Sequence, residues 1–345
     1  MILYMMVSIY CAKGMCRALV GGLLCASMFL SACGEAQKED KRTDKPQVIR
    51  LAYQLGHLPD IIALHKRFVE DEFAKDSIKI VFKKFDYGPP EVEAFNAGEL
   101  DFGSIGDQPA IIGWARGVEF KIVGNITGSE DKMALLVPKD SPVKSFSELK
   151  EKKIAITVGS NIQHLFNLYL QQNGWKQSDV NLVNLQFTDC IIALSANEID
   201  ATILSDPYIS IATYKYGAKV ISYSNGLKYT TLPYIASNEF IAEYPDIVIR
   251  LLKTYRKAAE WARNSHEEAA NILLKEENNL LPREIDIELI DKYTENFGLD
   301  DNAIKAFGET YKYLKETNII RNNPDITTLY ERRFDEAAQK LLNDE

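Results

Sequence analysis

Cysteine is scarce in this chain of 345 residues: there are five, at positions 11, 16, 25, 33 and 190. Three fall ahead of Cys33, in a segment that carries Lys13 and Arg17, no acidic residue, and then an apolar run from 18 to 30. That run is too short to span a bilayer comfortably and reads as the h-region of an export signal. With residues 1–32 removed and Cys33 modified, only Cys190 remains, so no internal disulfide is expected even in an oxidising compartment. Cys190 stands in the apolar stretch Cys190-Ile191-Ile192-Ala193, as a buried small hydrophobe would. Catalytic constellations are missing too. His266-Glu267-Glu268-Ala269-Ala270 lacks the second histidine of a zinc helix. No Cys/His cluster has metal spacing. Gly103-Ser104-Ile105-Gly106 places its serine one position off the nucleophile-elbow pattern. There is no phosphate loop, no dinucleotide fingerprint and no repeat of solenoid length. The expectation is therefore a protein that is not an enzyme and holds no metal or cofactor. Positive charge is also short: 40 basic against 49 acidic residues give −9, and loss of Lys13 and Arg17 takes the charge to −11. That argues against nucleic acid and against a basic membrane-surface protein.

What is present begins with Leu30-Ser31-Ala32-Cys33-Gly34. It resembles the bacterial lipobox, whose small residues let a peptidase accept the backbone before the lipidated cysteine. Cys33 is thus the expected lipidation site, palmitate being among its acyl chains, and the anchor to a membrane. Met15 would open a compact signal of its own. Residues 33–46 run Cys-Gly-Glu-Ala-Gln-Lys-Glu-Asp-Lys-Arg-Thr-Asp-Lys-Pro, have no large apolar side chain, and read as a disordered tether. Beyond it lie about 300 residues, enough for two lobes.

From residue 48 the pattern alternates. Strands are expected at 48–53, 78–85, 102–105 and 120–125, with helices at 61–72 and 91–97 among them. A long apolar strand at 132–138 leads through a turn to a short helix at 145–150. A second series follows: strand 154–158, helix 163–173, strand 183–187, a helix near 191–197, and strands 201–204, 219–223 and 232–237. Such alternation argues an α/β fold with largely parallel sheets. From 246 to 261 the apolar positions Val248, Leu251, Leu252, Tyr255, Ala258 and Ala259 recur at helical spacing, so an amphipathic helix packs on a lobe. Further helices are expected at 266–274, 283–293, 301–316 and 326–342. The organisation is two lobes, 47–136 plus 238–345 and 137–237, crossing near 137–140 and 232–237, with the helical C-terminal region packed on them.

Several stretches carry a family resemblance in order and spacing. They are Phe85-Asp86-Tyr87-Gly88-Pro89-Pro90 with Asn96-Ala97-Gly98-Glu99-Leu100-Asp101; Gly106-Asp107-Gln108-Pro109-Ala110; Leu136-Val137-Pro138-Lys139-Asp140-Ser141-Pro142; Gly159-Ser160; Asp206-Pro207-Tyr208; and Ala236-Ser237-Asn238-Glu239-Phe240. The chain resembles the type II periplasmic solute-binding proteins of ABC importers, in the aliphatic-sulfonate, taurine and nitrate branch. The resemblance implies a two-lobe α/β fold that closes on a small oxyanion, an aliphatic sulfonate first. Nitrate, taurine and a neutral thiamin pyrimidine precursor follow. It also implies a permease partner, a monomer, and a place outside the cytoplasm, facing the periplasm or the exterior. A ligand-sensing lipoprotein that reports to a membrane receptor is the other class. Two departures bear on the ligand: Ser205 stands where many sulfonate binders carry tryptophan, and Asn161-Ile162-Gln163-His164 is more polar than the family's usual run.

The resemblance also implies that helix N-termini, with their free N–H groups, hold the oxyanion. Gly106 and Asp107, after the third strand, are the first candidates, Pro109 suiting the opening turn. Gly159, Ser160 and Asn161 hold the corresponding position in the second lobe and are expected to act with them. Gly88 opens another helix, and Tyr87 before it could lay a ring on an apolar tail. Gln54 and Leu55, in Gln54-Leu55-Gly56-His57, are expected at the cleft mouth, Gln54 supplying donor and acceptor. Asp206 either orients donors or caps a helix. Gly128-Ser129 is a weaker candidate, and His164 either faces the cleft or packs.

Overall fold

The computed structural model describes residues 45–127, 130–294 and 296–344. The signal segment, Cys33, most of the tether, and Gly128-Ser129 lie outside the described residues. Among those described, no helix is long and apolar enough to cross a membrane.

The first series runs β1 (Val48–Gln54), α1 (Leu58–His65), α2 (Phe68–Phe73), β2 (Lys79–Phe85), α3 (Gly88–Asn96), β3 (Phe102–Ser104), α4 (Asp107–Ala115) and β4 (Phe120–Thr127). The second runs β5 (Met133–Val137), β6 (Lys153–Ile156), α5 (Asn161–Gln172), β7 (Asn181–Asn184), α6 (Phe187–Ser195), β8 (Ala201–Ser205), α7 (Tyr208–Tyr216) and β9 (Lys219–Tyr223). Then come β10 (Thr231–Ser237), α8 (Asn238–Glu243), α9 (Pro245–Asn264), α10 (His266–Glu276), α11 (Arg283–Thr294), β11 (Asn296–Phe297), α12 (Asp301–Glu316) and α13 (Arg332–Asn343).

The strands form two mixed sheets, β11-β4-β10-β3-β1-β2 and β7-β6-β8-β5-β9. The expectation of largely parallel sheets is corrected. β1 pairs in parallel with β2 and β3, and β6 with β7 and β8. β10 runs antiparallel to β3 and β4, and β5 antiparallel to β8 and β9. The reason is the path of the chain: β5 and β10 are the strands on which it changes sheet, and each enters its new sheet from the opposite end. The crossings shift accordingly. Residues 133–136 belong to the second sheet, not the first, and 231–237 to the first, not the second.

Three expected elements differ for local reasons. The helix expected at 61–72 is broken at Arg67, whose φ of 59° is left-handed, so α1 and α2 are separate. The strand expected at 183–187 stops at Asn184, because Gln186 and Phe187 already open α6. The helix expected at 326–342 starts as a short 3₁₀ turn, Ile326–Thr328; Tyr330 then bridges to Ile122 before α13 begins.

The alternating apolar positions of β1, β3 and β10 form a core with α1 and α9, in which Phe102 stacks on Tyr234 at 5.4 Å and Tyr255 at 5.8 Å. The second sheet buries Leu135, Ile154 and Ile203 against Phe166 and Tyr169 of α5. Cys190 is fully buried, and burial pushes its thiol up to about 11, which suits a packing residue.

Candidate ligand-binding site

Six helices begin around one cavity of about 70 Å³. In each case a strand ends, the chain turns, and the helix N-terminus faces inward. From the first sheet come α1 (N-cap His57), α3 (N-cap Tyr87) and α4 (N-cap Gly106). From the second come α5 (N-cap Ser160), α6 (first residue Phe187) and α7 (first residue Tyr208). A crevice at the carboxyl ends of strands is the usual ligand position in α/β sheets. In five of the six the N-cap residue itself offers no side-chain acceptor, although Asp107 accepts from the Gln108 N–H in α4 and Asp206 from the Ser210 N–H in α7. Their orphan N–H groups and positive dipole ends converge on the same small space.

The two sets of helix starts touch directly. A Cβ placed on Gly106 would come within 2.1 Å of Asn161 Oδ1, so glycine is what lets α4 and α5 approach this closely. One turn further along, Gln108 Nε2 donates to Gln163 Oε1 at 3.2 Å, and that same oxygen accepts from the Gly159 N–H at 2.9 Å.

Charge enters from strands rather than helices. Lys132, immediately before β5, lines the cavity with its side chain almost wholly buried. Thr230, just before β10, lines it too, with a buried hydroxyl that has no hydrogen-bond partner among the described residues. Both sit on the stretches that join the two sheets. Asp206 lines the cavity on the same side as Lys132, since it follows Ser205, which pairs with Met133. Its Oδ2 takes Lys292 Nζ at 3.0 Å and its Oδ1 takes the Ser210 N–H and hydroxyl at 3.2 and 2.8 Å. Burial alone would lower the Lys292 ammonium, but Asp206 and Asp131 raise it, so the ammonium stays charged.

A polar array lies behind the wall. Tyr234 donates its hydroxyl to Asp60 Oδ1 at 2.7 Å, Ser104 donates to Asp60 Oδ2, and His57 Nδ1 lies 2.6 Å from Ser104 Oγ. Burial raises Asp60 to about 7, against the pull of its two hydroxyl donors. Burial, helped by the Lys132 charge, lowers His57 to about 3, so its ring is neutral. Gln54 Nε2 donates at 2.7 Å to Glu91, which burial holds well above the usual carboxylate range. The His57–Ser104–Asp60 set does not build a nucleophile. Ser104 is fully buried, gives its proton to a carboxylate rather than to the histidine, and does not reach the cavity.

Of the residues singled out in the sequence, Gln54, Leu55, Tyr87, Gly88, Gly106, Ser160, Asn161 and Asp206 lie on the cavity wall. Asp107 does not. It turns away from the cavity and is fully buried, its Oδ2 accepting from Lys228 Nζ at 2.8 Å and from the Thr310 hydroxyl at 2.6 Å. Its side chain is spent on packing α4 against α12. Gly159, with φ of 87°, faces Pro89 in a neighbouring groove, since the left-handed turn aims it away. His164 packs: its ring stacks 3.9 Å from that of Tyr313, and burial lowers it to about 2. Asp206 serves as the cap that had been weighed for it. Sequence reasoning missed Lys132, Phe187, Tyr208 and Thr230, whereas His57 belongs to the stretch Gln54-Leu55-Gly56-His57 expected at the cleft mouth, all four residues of which line the cavity. Phe187 and Tyr208 open helices, a signal that was available. Lys132 and Thr230 stand at strand starts in ordinary polar turns, with nothing local to mark them.

The family model described as NMT1/THI5 like matches residues 56–269. A protein of Bacillus subtilis (strain 168) named "Putative aliphatic sulfonates-binding protein" is 30% identical over 327 residues, covering 92% of this chain and 95% of its own. A protein of the same name from Escherichia coli (strain K12) is 28% identical over 263 residues, covering 76% and 79%. Among solved structures, the periplasmic aliphatic sulphonate binding protein SsuA from Escherichia coli superposes with a TM-score of 0.73 at 26% identity, covering 83% of this chain and 92% of that one.

Proposed function

The chain belongs to the NMT1/THI5-like family, and we propose that it is the extracytoplasmic substrate-binding lipoprotein of an ABC importer, capturing a small oxyanion, with an aliphatic sulfonate first. The observation that carries this is the convergence of six helix N-termini and the buried Lys132 on one cavity. A sulfonate spreads one charge over three acceptor oxygens, which suits several N–H donors and one ammonium better than a single counter-ion. Leu55, Ile162, Phe187 and Leu232 supply apolar wall for a short alkyl tail. The names of the relatives point to the same ligand class.

In this reading the lobes are the two sheets with their helices, and the hinge is the pair of stretches before β5 and β10. Closure brings Gly106 and Asn161 together over the ligand, and the closed form docks on the permease. Lys132 lies on the hinge itself, so an oxyanion in contact with it favours the closed state directly. Lipid on Cys33 holds the protein, as a monomer, at a membrane outside the cytoplasm, with the charged tether giving reach. Binding rather than turnover is supported by the relatives, which are named as binding proteins. One observation favours a second reading: the rings of Phe187 and Tyr208, packed on each other with centroids 5.0 Å apart, offer an aromatic surface at the cavity on which a flat pyrimidine can stack.

Calorimetric titration of the mature protein with alkanesulfonates, nitrate and an aminopyrimidine decides between them. Heat with sulfonates is the expected result. Silence with every sulfonate and heat with the pyrimidine would reverse the assignment.

A further inference from the structure

His57 is the one titratable side chain that both lines the cavity and belongs to the buried array behind it. The hydrogen bonds of that array run in one direction. Tyr234 and Ser104 each carry one hydroxyl proton, and both give it to the Asp60 carboxylate. The Ser104 oxygen can then only accept from His57, so the proton of the neutral imidazole sits on Nδ1. Nε2, across the ring, bears a lone pair, and the side-chain hydrogen bond of this ring among the described residues is made by Nδ1. A ring 95% buried cannot leave this acceptor to bulk water, and the open space beside it is the cavity.

We propose that His57 is a specificity-determining residue: Asp60, through Ser104, fixes it as a hydrogen-bond acceptor, and the cavity therefore prefers oxyanions that also carry a hydroxyl or ammonium donor. This rests on the sulfonate reading above and narrows it. A hydroxyl or ammonium satisfies Nε2; an alkyl chain leaves it buried and unpaired, the costly case for a polar group. The asymmetry is the one by which sites built around a hydrogen bond reject analogues that lack it. Asp60 is a positioning residue here, since it touches no ligand and acts through Ser104.

The test compares 2-hydroxyethanesulfonate, 2-aminoethanesulfonate and ethanesulfonate by calorimetry above pH 8, where Asp60, raised by burial to about 7, is ionised. At least one substituted ligand is expected to bind ten-fold or more tightly than ethanesulfonate. Nitrogen-15 chemical shifts of His57 in the ligand-free protein, measured at the same pH above 8, are expected to report the Nδ1–H tautomer. Asp60→Asn, whose amide donates to Ser104 and reverses the array, is expected to convert His57 to Nε2–H and erase the preference while ethanesulfonate still binds. Equal affinities for all three ligands, or an Nε2–H tautomer in the unsubstituted protein, would overturn this inference and leave sulfonate binding intact. Binding by none of the three would overturn the proposed function itself.

Discussion

Asp107 and Lys228 form a buried ion pair, Oδ2 to Nζ at 2.8 Å, with side chains 0% and 3% exposed. It joins the start of α4, whose N-cap Gly106 lines the cavity, to the stretch before β10 on which the chain changes sheet. Thr310 of α12 donates to the same carboxylate oxygen and His164 of α5 packs alongside. Removing one member leaves the other charge buried and alone. Asp107→Ala is therefore expected to cost about 3–5 kcal/mol of stability. Adding Lys228→Met should recover part of that loss, because the orphaned charge goes. Urea denaturation of the three variants reads this, and a double variant as unstable as the sum of the singles would show the pair to be uncoupled.

Gly106 faces Asn161 with no room for a methyl group. Gly106→Ala is expected to hold α4 and α5 apart and to weaken sulfonate binding by about ten-fold or more, the overpacking penalty being about 1–3 kcal/mol. Thermal stability without ligand should change little, since the strain is relieved by opening. Undiminished affinity would mean that α4 and α5 need not approach for binding.

Lys132 is the cavity's buried cation on the stretch between β4 and β5. Lys132→Met keeps the length of the side chain and removes the charge. A charge-assisted hydrogen bond contributes about 1.5–3 kcal/mol, so affinity for a sulfonate should fall about ten- to a hundred-fold. Affinity equal to that of the parent protein would assign the anion to the helix ends alone.

Stability should fall as pH rises from 6.5 to 8.5. Burial raises Asp60 to about 7, Glu277 to about 8 and Asp286 to about 6, whereas unfolded carboxyls titrate near 4. Between those limits the folded state holds protons that the unfolded state has lost, so stability declines with pH. His57 and His164, lowered by burial to about 3 and about 2, act in the opposite sense, but only below the unfolded histidine value of about 6.5. Above pH 6.5 the carboxyls act alone. Glu277→Gln is expected to flatten the decline in chemical denaturation followed across this range; a variant with the parent's full slope would place the titration elsewhere.

Much of the site was legible because helix starts have a chemical signature. Glycine or serine after an apolar strand, followed by a helical period, marked Gly88, Gly106 and Ser160, and all three lie on the cavity. The same rule misplaced Asp107 and Gly159. A residue's place at a helix start says which turn it occupies, but the direction of its side chain depends on what packs against that turn. Thr310 and Lys228, more than a hundred residues away in sequence, draw Asp107 off the cavity.

What the sequence determined by itself is what short-range physics controls. The period of apolar residues set most elements between β1 and α12, though not α7, α8 or β11, and the turn chemistry set several of the helix starts. Tertiary structure alone decided the rest. The sheets are mixed because the chain changes sheet at β5 and β10, a choice no local pattern encodes. Lys132 and Thr230 face the cavity because those crossings run past it. His57 presents an acceptor because Ser104, Asp60 and Tyr234, from three different elements, meet behind it. Positions of that kind depend on contacts between distant segments, and they exist only once the chain has folded.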